Sequence, residues 1–210
     1  MTEQITLAIS KGRVLQEALP LLARMGVVPL EDPEQSRRLI LETSQANVRL
    51  VLVRAADVPT YVEHGTAELG ITGKDVLLEH EGDGLYEPLD LGIARCRLVL
   101  AGPAAARMTR GRLRIATKYV RTARAYFADR GEQVEIIHLY GSMEIAPGLG
   151  LADRIVDLVD SGKTLAANNL IELQTIVEIS SRLIVNKAAM KMKGNVIRPF
   201  IRKLADVVGK

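Results

Sequence analysis

The stretch from Ile155 to Ala167 limits the possible folds more than any other part of the chain. Ile155, Val156, Leu158 and Val159 form a short apolar run with β-branched residues, the pattern of a mostly buried strand, and Asp157 interrupts it. Asp160, Ser161, Gly162, Lys163 and Thr164 follow as a small polar turn, and Leu165, Ala166 and Ala167 can open a helix. A strand, a glycine turn and a helix start together present free backbone N–H groups and the positive end of a helix dipole at one point, which makes an anion site. The dipole contributes only about 0.3–1 kcal/mol at an exposed position. Affinity for a phosphate therefore has to come from several donors acting together: Ser161, Gly162 and Thr164, with Lys163 as a charge that can equally point to water.

Carboxylates beside a phosphate repel it, so Asp157 and Asp160 answer to something else. Ribose hydroxyls and a magnesium ion are both matched by acidic oxygens. Two familiar motifs are excluded. A Walker A loop needs a glycine five positions before the Gly-Lys-Thr, where Asp157 stands. The pair Gly148 and Gly150 lacks the third glycine of a dinucleotide fingerprint, since Asp153 occupies that place.

The rest of the chain alternates strands and helices, which indicates an α/β fold. Ile5 to Ser10 reads as a strand, and Val14, Leu15, Ala18, Leu19, Leu22 and Met25 fall on one helical face that ends at Gly26. Lys11, Gly12 and Arg13 then occupy a strand-to-helix turn, the edge where α/β folds place ligands; a solvated basic turn is the plain alternative. Strands at 39–42 and 48–53 are flanked by Arg37, Arg38 and Arg54, among which Arg37 is the first choice for reaching a leaving anion. Asp57 reads as the N-cap of a helix with Pro59 in its first turn. Thr72, Gly73 and Lys74 form another strand-to-helix junction, suited to a phosphate or an adenine.

Further on, 103–112 reads as a loop, 113–116 and 134–139 as strands around a helix at 117–130, and Thr117 with Lys118 as a second possible anion site. Two long extended stretches, 93–101 and 173–185, read as paired hinge strands. They divide the chain into one lobe of 1–93 plus 184–210 and another of 94–183. A terminal helix carries Val196, Ile197, Phe200, Ile201, Leu204 and Val208 on one face, with Pro199 in its first turn or kinking it.

Tryptophan is absent and aromatics make up 3%, which disfavours stacking platforms for single-stranded nucleic acid, and a net charge of +3 is too small to indicate a nucleic-acid partner. A single cysteine, Cys96, excludes an intrachain disulfide. The N-terminus lacks a basic region followed by an apolar core, and no apolar run approaches the roughly 20 residues that span a bilayer. The expected location is the cytoplasm, with no membrane partner.

The run Glu144…Ala146-Pro147…Gly150-Leu151-Ala152-Asp153…Asp157-Leu158-Val159-Asp160-Ser161-Gly162-Lys163-Thr164-Leu165…Asn168 resembles the ribose-phosphate signature of the ATP phosphoribosyltransferase family, with Ser161 where that family commonly has threonine. Lys11-Gly12-Arg13, Asp57-Val58-Pro59 and Leu69-Gly70-Ile71-Thr72-Gly73-Lys74-Asp75 resemble the same family. The resemblance implies a two-lobed α/β fold similar to type II periplasmic binding proteins, with the active site in the interlobe cleft. It implies transfer of phosphoribosyl from phosphoribosyl pyrophosphate to N1 of the ATP adenine, the first step of histidine biosynthesis, with Mg2+. On this reading Arg13, Arg37 and Asp157 are catalytic. Glu144, Asp157, Asp160, Ser161, Gly162, Lys163, Thr164 and Leu165 bind phosphoribosyl pyrophosphate, and Lys11, Gly12, Asp57, Thr72 and Gly73 lie at ATP. Because the chain stops at Lys210 after one terminal helix, it is similar to the short catalytic form, which implies a regulatory subunit resembling histidyl-tRNA synthetase and a homodimer within a hetero-oligomer. Two other classes stay open: a two-lobed effector-binding module without turnover, and a salvage phosphoribosyltransferase acting on a free purine base.

Overall fold

The computed structural model describes residues 3–105 and 111–209. In chain order its strands and helices are β1 Ile5–Ser10, α1 Arg13–Arg24, β2 Ile40–Glu42, β3 Val48–Val53, α2 Val58–Glu63, β4 Leu69–Gly73, α3 Lys74–Glu79, β5 Leu85–Asp90, β6 Cys96–Pro103, β7 Leu113–Thr117, α4 Val120–Ala128, β8 Val134–His138, β9 Arg154–Val159, α5 Lys163–Ala167, β10 Leu170–Ile179, β11 Ser181–Asn186, α6 Lys187–Met192 and α7 Gly194–Val208. The chain forms two compact units, Met1–Ala94 with Ser180–Lys210, and Arg95–Ile179.

The first unit is built on a six-stranded sheet in the order β2-β3-β1-β4-β11-β5. β1 runs parallel to both β3 and β4 and is buried along its whole length. That burial is why its sequence, Ile-Thr-Leu-Ala-Ile-Ser, carries no charged residue on either face. α1 covers the sheet with Leu15, Ala18 and Leu22, and α7 with Ile197, Phe200 and Leu204. Each such buried leucine, isoleucine or phenylalanine contributes about 1.5–3 kcal/mol, and Ala18 less. The carboxyl ends of β1, β3 and β4 share one edge of this sheet.

The second unit is a five-stranded sheet in the order β10-β6-β9-β7-β8. β9 lies at its centre, parallel to β7 and antiparallel to β6. Val99, Ala101, Ala116, Ile155, Val159, Leu165 and Leu170 form its core, and Tyr126 meets Phe127 edge to face at 5.0 Å on α4.

Several expectations change. The extended stretch 173–185 is two strands, because Ser180 turns the chain: its hydroxyl donates to Asp90 Oδ1 at 2.7 Å and its carbonyl accepts from Lys74 N–H at 3.0 Å. β10 pairs with β6 up to Ile179↔Cys96, while β11 pairs with β4 and β5. Ala94 and residues 180–183, read above with the second lobe, fall in the first unit. Asp57 precedes α2 but makes no capping bond, since a 3-10 turn at Ala55–Asp57 already feeds the helix. Thr117 ends β7 instead of opening α4, and Pro199 stands in the sixth position of α7, past the first turn. Of the loop read at 103–112, residues 106–110 lie outside the described residues. Among the described residues no helix is long and apolar enough to cross a membrane.

Candidate active site

The carboxyl end of β9 opens onto a cavity of about 220 Å³ lined by Glu144, Leu158, Val159, Asp157 and every residue from Asp160 to Leu165. All eight residues read from sequence as the ribose-phosphate site are brought together here. Gly162 takes φ +75° and precedes α5, a left-handed conformation that costs other L-residues about 1–2 kcal/mol. No side chain caps α5, and its first helical bond runs from Ala166 N–H to the Gly162 carbonyl at 3.1 Å. The N–H groups before Ala166 thus have no acceptor inside the helix and are left for a ligand. Leu165 turns its side chain into the core, at 5% exposure, so only its backbone can serve the site.

Asp157 is half-buried on β9. Burial raises its pKa from the ordinary 3.8 to about 6, and the Glu144 carboxylate adds to the rise; the Leu158 N–H, which donates to Asp157 Oδ1 at 2.8 Å, and the charge of Lys118 oppose it. Glu144 arrives on a 3-10 turn at Met143–Ile145 that begins from Ser142 in a left-handed conformation. The loop after this turn is tied down by Arg114, whose guanidinium contacts Asp153 and the Gly150 carbonyl, and whose N–H donates to Asp153 Oδ2 at 2.8 Å.

The first unit carries a separate cavity of about 530 Å³ at the carboxyl ends of β1 and β3, lined by Ser10, Lys11, Leu39, Leu52, Val53, Arg54, Ala55, Asp57 and Tyr61. Of the residues read as an ATP site, Lys11 and Asp57 line it. Gly12 is exposed with φ +91° at the start of α1. Thr72 is fully buried and its hydroxyl points to the Ala55 carbonyl at 3.4 Å, so its side chain is closed to a nucleotide. Gly73 is overlain by the Asp75 carboxylate, which an added Cβ would strike. Arg13 is exposed and pairs through Nε with Glu17 at 2.7 Å, and Glu17 in turn accepts the Ala94 N–H. Of the three arginines flanking β2 and β3, Arg38 pairs with Glu31 at 2.8 Å, Arg37 is exposed and lines neither of these two cavities, and Arg54 lines the one beside Lys11. The signal that could have selected Arg54 is its place directly after β3, at the same sheet edge as Lys11. Tyr61 and Leu39 carried no such signal.

Among the described residues no group of three or more His, Cys, Asp or Glu side chains is arranged to hold a metal ion.

Fold and cavity define the class: an α/β protein with the fold of periplasmic binding proteins and a glycine-bearing loop around a cavity at a strand end. The periplasmic aliphatic sulphonate binding protein SsuA from Escherichia coli shares that fold, at a TM-score of 0.63 and 11% identity over 99% of this chain and 73% of its own. The family model described as HisG: ATP phosphoribosyltransferase matches residues 54–206. A relative from Nitrosococcus oceani, named ATP phosphoribosyltransferase, is 61% identical over 210 residues, covering 100% of this chain and 99% of its own. The ATP phosphoribosyl transferase (HisG:HisZ) complex from Thermotoga maritima contains a chain 36% identical with a TM-score of 0.84, covering 98% of this chain and 99% of that one. The chain belongs to the ATP phosphoribosyltransferase family, transferases of the first step of histidine biosynthesis.

Proposed function

We propose that the loop Asp160–Leu165 holds the 5′-phosphate of phosphoribosyl pyrophosphate while Asp157, assisted by Glu144, holds the ribose hydroxyls. The observation that carries this is the gathering of all these residues around one cavity at the end of β9. Ser161, Gly162 and Thr164 supply neutral donors, and an ionised Asp157 accepts from hydroxyls, as an acceptor-only group must. ATP engages the first unit at Lys11, Gly12 and Asp57. Arg13 steadies the departing pyrophosphate together with an arginine from the β2–β3 region, Arg37 on the sequence reading and Arg54 on the lining of the cavity.

Adenine N1 attacks the anomeric carbon as the bond to the pyrophosphate oxygen breaks, and the electron pair leaves with pyrophosphate. The transition state has oxocarbenium character. N1 is a nucleophile at neutral pH, so no strong base is required, and the protein's share is positioning and the stabilisation of separating charge. A magnesium ion bound with the substrates would be held by their phosphate oxygens and would supply positive charge against the departing pyrophosphate. The chain works in the cytoplasm as a homodimer joined to a regulatory subunit; the HisG:HisZ complex of the Thermotoga relative supports the second kind of subunit.

The test mixes the purified chain with ATP, phosphoribosyl pyrophosphate, Mg2+ and pyrophosphatase and follows the near-ultraviolet change of the alkylated adenine, with and without the regulatory subunit. Product formation is expected with ATP and not with free adenine. No product in either arrangement would remove the proposal, and so would a folded Asp157→Ala protein turning over as the wild type does.

A further inference from the structure

Lys118 belongs to the turn after β7 and takes no part in the roles assigned so far. Three observations bring it to Asp157. The parallel register pairs Ile115 with Arg154, Ala116 with Ile155 and Thr117 with Val156; Lys118 and Asp157 are the residues that directly follow this last pair, and the Lys118 charge acts on Asp157. Both neighbours of Lys118 are locked: Thr117 is buried, its hydroxyl donates to the Val156 carbonyl at 2.6 Å and accepts the Tyr119 N–H at 2.9 Å, and Tyr119 is itself 3% exposed. The turn is thereby fixed on β9, the strand that carries Asp157. Lys118 is exposed, with its ammonium 4.8 Å from the Tyr119 ring centroid.

From this geometry we propose that Lys118 is a positioning residue for the sugar substrate: its charge keeps Asp157 ionised beside the bound phosphates and so sets the acid limit of turnover.

The inference rests on the assignment of Asp157 to the ribose. The charged surroundings of Asp157 make a counter-charge necessary. Glu144 faces it from the 3-10 turn with a like charge, Asp160 and Lys163 line the same cavity, and its partner on β6 is the apolar Val99. Burial alone pushes the carboxyl towards its neutral form, and Lys118 acts against that. A substrate bearing several phosphate charges deepens the negative field, so the cation matters more once the site is filled. A protonated Asp157 would lose one acceptor and offer a donor where the sugar already supplies donors.

The experiment compares wild type, Lys118→Met, Lys118→Arg and Asp157→Asn. Methionine keeps the stem and removes the charge; arginine keeps the charge. The Asp157 carboxyl carbon is titrated by NMR without substrate, with Asp157→Asn identifying the signal, and kcat/KM for phosphoribosyl pyrophosphate is measured across pH on the same substrate. Lys118→Met should raise the Asp157 pKa by about 0.5 unit and move the acid limb by the same amount. The ratio of wild-type to Lys118→Met kcat/KM should then be about twofold larger at pH 6 than at pH 8. Lys118→Arg should restore both readouts. An Asp157 signal or an acid limb unmoved in Lys118→Met overturns the proposal. If in that case Asp157→Asn has lost turnover, the ribose assignment survives and Lys118 alone is misassigned; wild-type turnover in Asp157→Asn sinks the assignment itself.

Discussion

Glu144 and Asp157 reach one cavity from different elements, a 3-10 turn and the central strand β9, and the carboxylate of Glu144 makes the ionisation of Asp157 harder. Two acids are set together where a phosphate is also to bind, an arrangement that costs stability and has a use only if hydroxyls or cations come to meet it.

Glu144→Gln removes that repulsion, so the Asp157 pKa should fall and the acid limb of kcat/KM should move to lower pH by about 0.3–1 unit. The position of the limb is the readout, since the height can drop if Glu144 also touches the sugar. A limb that stays in place would separate the two carboxylates.

Asp157→Asn should stabilise the substrate-free protein while lowering turnover at least about tenfold. The native carboxyl keeps its proton up to about pH 6 whereas the unfolded one loses it near 3.8. Stability is therefore lost as pH rises through that window, and the full cost is present above it. The variant should gain on the order of 1–3 kcal/mol at pH 7–8, and nothing below about pH 4. Equal melting temperatures at pH 8 would contradict the burial of that charge.

The Arg114–Asp153 pair works in the opposite direction. Burial pushes the Asp153 carboxyl up, but the guanidinium and N–H of Arg114 outweigh it and hold the pKa below the ordinary carboxylate range. Its stabilisation is present above the unfolded pKa and lost as pH falls through the folded one. Asp153→Asn should lower stability at pH 7 by a small, solvent-screened amount, with the difference from wild type shrinking below about pH 4. Chemical denaturation at the two pH values measures it.

Gly162→Ala meets nothing within 4 Å of the new Cβ, so its whole effect is the backbone's φ of +75°. A cost of about 1–2 kcal/mol is expected, or roughly 2–4 °C in melting temperature per kcal/mol. The KM for phosphoribosyl pyrophosphate should rise, because the turn carries the donors. An unchanged KM would move the phosphate elsewhere.

Arg54→Ala and Arg37→Ala distinguish the two candidates for the pyrophosphate. Arg54 lines the cavity with Lys11 and Arg37 lines neither cavity described here, so the first change should lower kcat/KM by about tenfold or more and the second by much less. The reverse ranking would return the role to Arg37.

Much of this was legible beforehand. Ile5–Ser10 and the run from Ile155 to Val159 were visible as strands because strands buried in the middle of a sheet are rich in apolar and β-branched residues, and Gly162 marked its turn because few other residues accept that φ. The break at Ser180 was not, since Ile179 and Ser181 look equally extended and the bonds that divide them, from Ser180 to Asp90 and from Lys74 to Ser180, join residues 90 or more positions apart in the chain. Thr72 read as a ligand because its neighbours are Gly73 and Lys74, yet the strand β4 carries it to the interior.

The amino-acid order by itself determined the alternation of strands and helices, the strands β1 and β9 and the loop from Asp160 to Leu165, because hydrophobic period and turn chemistry depend on residues a few positions apart. Folding decided which charges share a space: Lys118 and Glu144 around Asp157, Arg54 rather than Arg37 beside Lys11. Coulombic and desolvation energies depend on distance through the folded protein, and those distances exist only once β7 has been laid against β9.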